Sequence, residues 1–199
     1  MKSEKMSNIT LKWVDTIIPF SNNYSAQMTA SELSKITGIP QQSVSRTLNQ
    51  LVRFSFFSYI QKGKNKFFFI DLRRMISKII LGIIENYKAL KFYHQNKKIS
   101  VIINDLLKNC DGLIIFGSYA SKDYNPNSDL DLVAFGVNKD EFKKIKNRYS
   151  VEIHEHCVSY RDFENLLKKR NPLTVEVLNN HILFGDVSKI INIFWKRGI

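Results

Sequence analysis

Apolar residues in the first half of the chain recur mostly at helical intervals, whereas in the second half short apolar runs alternate with helical stretches. Leu11, Val14, Ile17 and Ile18 predict a helix that Pro19 ends. Met28 to Val52 predicts two short helices broken at Gly38-Ile39-Pro40. In the first, Leu33 and Ile36 face inward, with Ser31 or Thr29 as the cap. In the second, Val44, Leu48 and Leu51 form a buried stripe that leaves Gln41, Gln42, Ser43, Ser45, Arg46, Thr47 and Asn49 outside. Two aromatic strands follow, Phe56 to Ile60 and Phe67 to Ile70, around the basic turn Gln61-Lys62-Gly63-Lys64-Asn65-Lys66. Ile76, Ile79, Ile80, Ile83, Ile84, Tyr87 and Leu90 then predict a long amphipathic helix whose wide apolar face must be covered, either in cis or by a second copy of the chain.

Beyond the basic, aromatic stretch Lys88 to Lys98, a helical pattern over Ile99 to Leu107 leads into Leu113-Ile114-Ile115-Phe116, a β-branched run flanked by glycines that reads as a buried strand. Ser128 to Val133 alternates with a period of two, Glu141 to Arg148 reads as a basic helix and Ser150 to Val158 as a further strand. Tyr160 to Lys169, Pro172 to Asn179 and Asp186 to Lys196 are helical, with a short strand-like piece at Ile182 to Gly185. The fold class is therefore α+β, without repeats or low-complexity segments.

A net charge of +12 over 199 residues points to a polyanionic partner, and residues 1–75, with eleven Lys and Arg against four Asp and Glu, hold +7 of it. Cys110 and Cys157 have no metal-ligand spacing and no pairable framework, which fits a reducing cytoplasm. The N-terminus MKSEKMSNIT lacks a signal-peptide core, and Ile79 to Ile84 is too short to span a bilayer, so no membrane association is expected.

The candidate chemistry lies in GSYASKDYNPNSDLDLVAFG, Gly117 to Gly136. Gly117 permits a sharp turn after the strand, and Ser118 offers a hydroxyl and an amide where a helix starts, a place that favours phosphate. On the following strand Asp129 and Asp131 share one face, with Leu130 and Leu132 on the other. Two carboxylates about 7 Å apart along a strand can hold divalent ions, and Mg2+, which prefers oxygen donors and substrate phosphates, suits them.

These residues resemble the G-S-x-A…S-D-x-D-L signature of the nucleotidyltransferase fold of the DNA polymerase β superfamily, most closely its small minimal members. The resemblance implies a mixed sheet with flanking helices. It also implies triphosphate binding at Gly117 and Ser118, metal binding at Asp129 and Asp131, and a third carboxylate on the later strand. Glu152 is the best match for that carboxylate, sharing a strand face with His154 and His156; a register shift of one would substitute Glu155. His154 and His156 are themselves candidates for a general base or metal ligands. Small members often carry an arginine-glycine pair after the alanine. Here Ser121 and Lys122 stand there, and Lys122 is the candidate basic phosphate contact.

Residues 28–70 resemble a winged helix-turn-helix. That resemblance implies double-stranded DNA as partner, with Gln41, Gln42, Ser43, Ser45, Arg46 and Asn49 reading the major groove and Lys62, Lys64 and Lys66 on the wing against phosphates. The expected organisation is a winged helix-turn-helix over 1–75, a linker helix over 76–98 and a nucleotidyltransferase-like domain over 99–199. The expected activity is Mg2+-dependent transfer of a nucleoside monophosphate from NTP to a hydroxyl. The alternative is a transcription regulator, or an antitoxin-type protein paired with a helical ribonuclease, that binds nucleotide without turnover.

Overall fold

A computed structural model describes residues 11–196; the N-terminal segment read above for a signal peptide and the last three residues lie outside the described residues. By its internal contacts the chain divides into two units, Met1–Ile84 and Glu85–Ile199.

In the first unit, helix α1 (Leu11–Ile17) passes into a 3-10 turn at Ile18–Ser21, and α2 (Ala30–Thr37) and α3 (Gln41–Arg53) follow. Thr29 is the cap of α2: its hydroxyl accepts from the Glu32 amide at 3.2 Å while its own amide donates to Glu32 Oε2 at 2.7 Å. Gly38, at φ +71, ends the helix in the left-handed conformation that glycine adopts without strain, and Pro40 precedes α3. Leu33, Val44, Leu48 and Leu51 are buried with Phe20, Tyr24, Phe57 and Phe68.

Two sequence expectations fail in these helices. Ile36 is 60% exposed, because α2 turns Leu33 to the core and leaves the residue three further on at its flank. Thr47 is buried, because it lies between Val44, three residues before it, and Leu51, four after it, and so sits inside the apolar stripe of α3.

Strands β1 (Ser58–Lys62) and β2 (Asn65–Phe69) pair antiparallel from Ser58↔Phe69 to Lys62↔Asn65, leaving a two-residue turn of Gly63 and Lys64. Gly63, at φ +59, supplies the positive φ that such turns require. The expected six-residue basic turn is therefore mostly strand. The Lys66 ammonium lies 4.4 Å from the Tyr59 ring centroid, and that of Lys62 lies 5.2 Å from the Phe67 centroid. Met28 exchanges two backbone hydrogen bonds with Phe68, stitching the entry to α2 onto the hairpin.

Helix α4 (Met75–Gln95) crosses the boundary between the units. Asp71 prepares its start: the Arg73 side chain donates two 2.9 Å bonds to the Asp71 carboxylate, and the Ser77 hydroxyl donates to the Asp71 carbonyl. The bonded guanidinium holds the Asp71 carboxyl at about 2. The wide apolar face expected of this helix is only partly buried. Ile79 is 57% and Leu90 50% exposed, while Ile80, Leu81, Ile84, Ala89 and Phe92 are buried. The buried stripe includes Glu85 and Lys88, charged residues that reach partners: Glu85 lies 3.3 Å from Lys88 Nζ and 3.2 Å from His181 Nε2.

In the second unit, α5 (Lys97–Leu107) leads to strands β3 (Gly112–Ile115), β4 (Leu130–Phe135), β5 (Ile153–Val158) and β6 (Ile182–Gly185), which form one sheet in the order β5-β4-β3-β6. β3 pairs antiparallel with β4 and β6, and β4 pairs parallel with β5, so the sheet is mixed. β3 is buried along its whole length, which explains its unbroken apolar run. Leu113, Ile115, Leu130, Leu132 and Ala134 join Ile99, Ile102, Ile103 and Leu106 of α5, and Phe142 and Ile145 of α7 (Lys139–Lys146), in one core. Helices α8 (Tyr160–Lys168), α9 (Pro172–Asn179) and α10 (Val187–Trp195) complete the unit. No helix among the described residues is long and apolar enough to cross a membrane.

Candidate functional site

The site grows from the junction of β3 with the one-turn helix α6 (Gly117–Ser121). The Phe116 amide donates to the Asp131 carbonyl at 3.1 Å, which holds the turn against β4. Gly117 has φ +64, and a Cβ there would lie 2.4 Å from Asp131 Oδ2. Glycine thus permits both the turn and the approach of the carboxylate. Ser118 is half-buried at the start of α6, and Lys122 caps its far end at φ +70 with an exposed side chain.

Leu130 and Leu132 point into the core, leaving Asp129 and Asp131 together on the opposite face, as the alternation predicts. The Leu130 amide donates to the Glu152 carbonyl at 2.8 Å, and Asp131 pairs in register with His154 across the parallel β4 and β5. Glu152 stands just before β5 rather than within it. Asp129, Glu152 and His154 each offer a ligand atom within 4.8 Å of the others. His154 Nε2 lies 3.2 Å from Glu152 Oε1, and Nδ1 lies 3.4 Å from Asp131 Oδ1. These contacts raise the His154 pKa, with the Glu152 hydrogen bond first, against a smaller opposing effect of desolvation.

Glu155, the register alternative, faces α7 and pairs with Lys146. His156 lies beside the Phe116 ring at 6.1 Å between centroids. Asp129, Glu152 and His154 therefore form one group, which Asp131 joins through His154 while bordering Gly117, and the carboxylate oxygens among them suit a hard divalent cation.

Two features of this unit are absent from the sequence reading. Tyr119 of α6 and Tyr124 of the loop that leads to Asp129 stack at 4.7 Å and 14°; burial, then Tyr124 and Asp129, raise the Tyr119 pKa. The sequence signal for this pair is one tyrosine inside the short helix and a second just beyond it. The buried Glu85, Lys88 and His181 group is the second, and its only trace in the sequence is an i, i+3 Glu-Lys pair inside an otherwise apolar face.

In the first unit, Gln41, Gln42, Ser45, Arg46 and Asn49 line one open depression on α3, while Ser43 is half-buried beside it. Asn49 Nδ2 donates to the Ser45 carbonyl at 2.8 Å, so its amide is turned along the helix. Lys62, Lys64 and Lys66 are all exposed on the hairpin.

Over 90 residues, 43% of this chain, the sequence is 28% identical to a Methanocaldococcus jannaschii protein named "Putative protein adenylyltransferase", and the match spans 64% of that protein's length. Among solved structures, one described as a toxin-antitoxin with AMP-PNP is 16% identical, with a TM-score of 0.33 over 51% of this chain and 82% of that one. A "putative nucleotidyltransferase from Sulfolobus solfataricus" is 18% identical, with a TM-score of 0.28 over 49% of this chain and 86% of that one. Residues 97–189, which contain the Gly-Ser turn, both aspartates and Glu152, match the family model described as polymerase beta, nucleotidyltransferase, so this part of the chain is similar to nucleotidyltransferase domains.

Proposed function

We propose that this domain transfers a nucleoside monophosphate from NTP to a hydroxyl group with release of pyrophosphate, and that Asp129, Asp131 and Glu152 hold the divalent ions the reaction uses, Mg2+ being the ion that carboxylate oxygens alone would favour. The observation that carries the reading is the grouping of Asp129 and Glu152 with His154, which also contacts Asp131, the carboxylate that Gly117 leaves room for. A divalent ion bound there would neutralise phosphate charge and activate the acceptor oxygen. Gly117 and Ser118 position the triphosphate through backbone and hydroxyl donors, and Lys122 contacts a phosphate oxygen from the far end of α6. Such chemistry needs little covalent work from the protein, so positioning and charge complementarity supply most of the rate. The name of the Methanocaldococcus relative favours ATP as donor and a protein side chain as acceptor. A helical ribonuclease partner of the kind the sequence resemblance implies would present such an acceptor. Nucleotide chemistry and unpaired thiols fit a cytoplasmic setting.

The first unit, in this reading, is a winged helix-turn-helix that binds double-stranded DNA through the polar face of α3 and the hairpin lysines. The exposed stripe of Met75, Ile79, Ile83 and Leu90 on α4 would face a second copy in a two-fold dimer on DNA.

Incubation with Mg2+ and each α-labelled NTP, alone and with cell lysate, tests the enzyme. Label transfer that disappears in Asp129→Asn plus Asp131→Asn is expected. Nucleotide binding without transfer by the unaltered protein would instead support the sensing alternative, which the 70% exposure of the Glu152 side chain favours.

A further inference from the structure

We infer that His154 is a ligand of the metal centre, which makes the site a mixed nitrogen and oxygen centre that takes a transition ion such as Mn2+ in preference to Mg2+. The inference rests on the metal reading of Asp129, Asp131 and Glu152 given above. His154 sits opposite Asp131 in the β4/β5 register, on the same face, and its ring lies between two carboxylates, with Nδ1 3.4 Å from Asp131 Oδ1 and Nε2 3.2 Å from Glu152 Oε1. One ligand atom from each of Asp129, Glu152 and His154 falls within 4.8 Å of the other two. Donors about 2.1 Å from a shared ion stand roughly 3 to 4 Å apart, so a small side-chain adjustment would close them on one cation.

Burial does not hold the imidazole there, because its side chain is 49% exposed. Whichever nitrogen ligates, the other has a carboxylate at hand to orient the ring, the arrangement usual behind metal-bound histidines. His156, two residues on, lies instead beside Phe116. Imidazole nitrogen suits first-row transition ions, whereas Mg2+ prefers oxygen donors alone. His154 therefore sets which ion the site holds.

Full-length protein freed of metal by chelation is titrated with MnCl2. Continuous-wave EPR counts the free ion, and electron spin echo modulation detects a directly bonded nitrogen. Nitrogen modulation is expected in the unaltered protein and in His156→Gln, and is lost in His154→Gln. Mn2+ affinity should fall in His154→Gln by at least the roughly tenfold that even an outer-shell partner costs, while Mg2+ affinity, read by competition, falls less. His154→Asp should restore tight binding and move the preference towards Mg2+. Mn2+ bound without nitrogen modulation, or modulation that survives His154→Gln, overturns the inference and leaves the carboxylate site standing. No Mn2+ binding by the unaltered protein, or binding indifferent to Asp129→Asn plus Asp131→Asn, overturns both.

Discussion

Gly117 carries two constraints in one position, a positive φ and a carboxylate oxygen where its Cβ would be. Gly117→Ala should therefore cost about 1–2 kcal/mol for the left-handed backbone alone and push the Asp131 carboxylate off its position. The expected result is a lower melting temperature together with a larger loss of metal and nucleotide binding, measured by thermal shift with and without MgATP. Equal loss in both would mean that the glycine serves only the fold. Asp71 is a second residue whose neighbours set its behaviour. Its pKa, about 2, lies below the unfolded value, so its stabilisation is present above about pH 4 and is lost as the pH falls towards 2. With its Arg73 partner largely exposed, that contribution is on the order of 1–2 kcal/mol. Asp71→Asn should lower stability at pH 7 by this amount and flatten the acid limb of a pH melting series. The alternation Asp129-Leu130-Asp131-Leu132 shows in the sequence which two carboxylates share a face, but no local pattern shows that His154 stands between Asp131 and Glu152, because that depends on strand register across the parallel pair.

Single elements show where local pattern and tertiary packing part. The sequence offers Ser31 or Thr29 as the cap of α2, and the structure selects Thr29 in a capping box with Glu32; Thr29→Ala should cost about 1 kcal/mol, read as a shift in urea midpoint at unchanged slope. In α4 the apolar spacing placed Ile79, Ile83 and Leu90 inside, yet the helix buries Glu85 and Lys88 instead. Burial pushes the Lys88 pKa down and the adjacent Glu85 pulls it back up. Glu85→Gln leaves the Lys88 ammonium buried without its counter-charge and should destabilise by about 3 kcal/mol or more, whereas Glu85→Gln with Lys88→Met should recover much of that loss. A single substitution no worse than the double would show that the two charges are not coupled.

At the scale of the whole molecule, the excess of basic residues in 1–75 is a statement about partners rather than fold. If Lys62, Lys64 and Lys66 lie on DNA phosphates, replacing all three with Gln should weaken binding at low salt and reduce the slope of log affinity against log salt by about 2 to 3. Arg46→Ala should reduce affinity more for a preferred site than for random DNA. Unchanged affinity in both variants would remove DNA from the reading of the first unit.

Periodicity and turn chemistry in the sequence were enough for the helices, the hairpin, the buried β3 and the Gly-Ser turn with its two aspartates on one face, because each of these is specified by residues within a few positions of one another. Which glutamate joins the aspartates, that His154 lies beside both, that Ile36 is exposed and that Glu85 is buried with His181 were decided only by the tertiary structure. Those outcomes depend on the register of β4 against β5 and on charged groups finding partners far along the chain, neither of which a local pattern encodes.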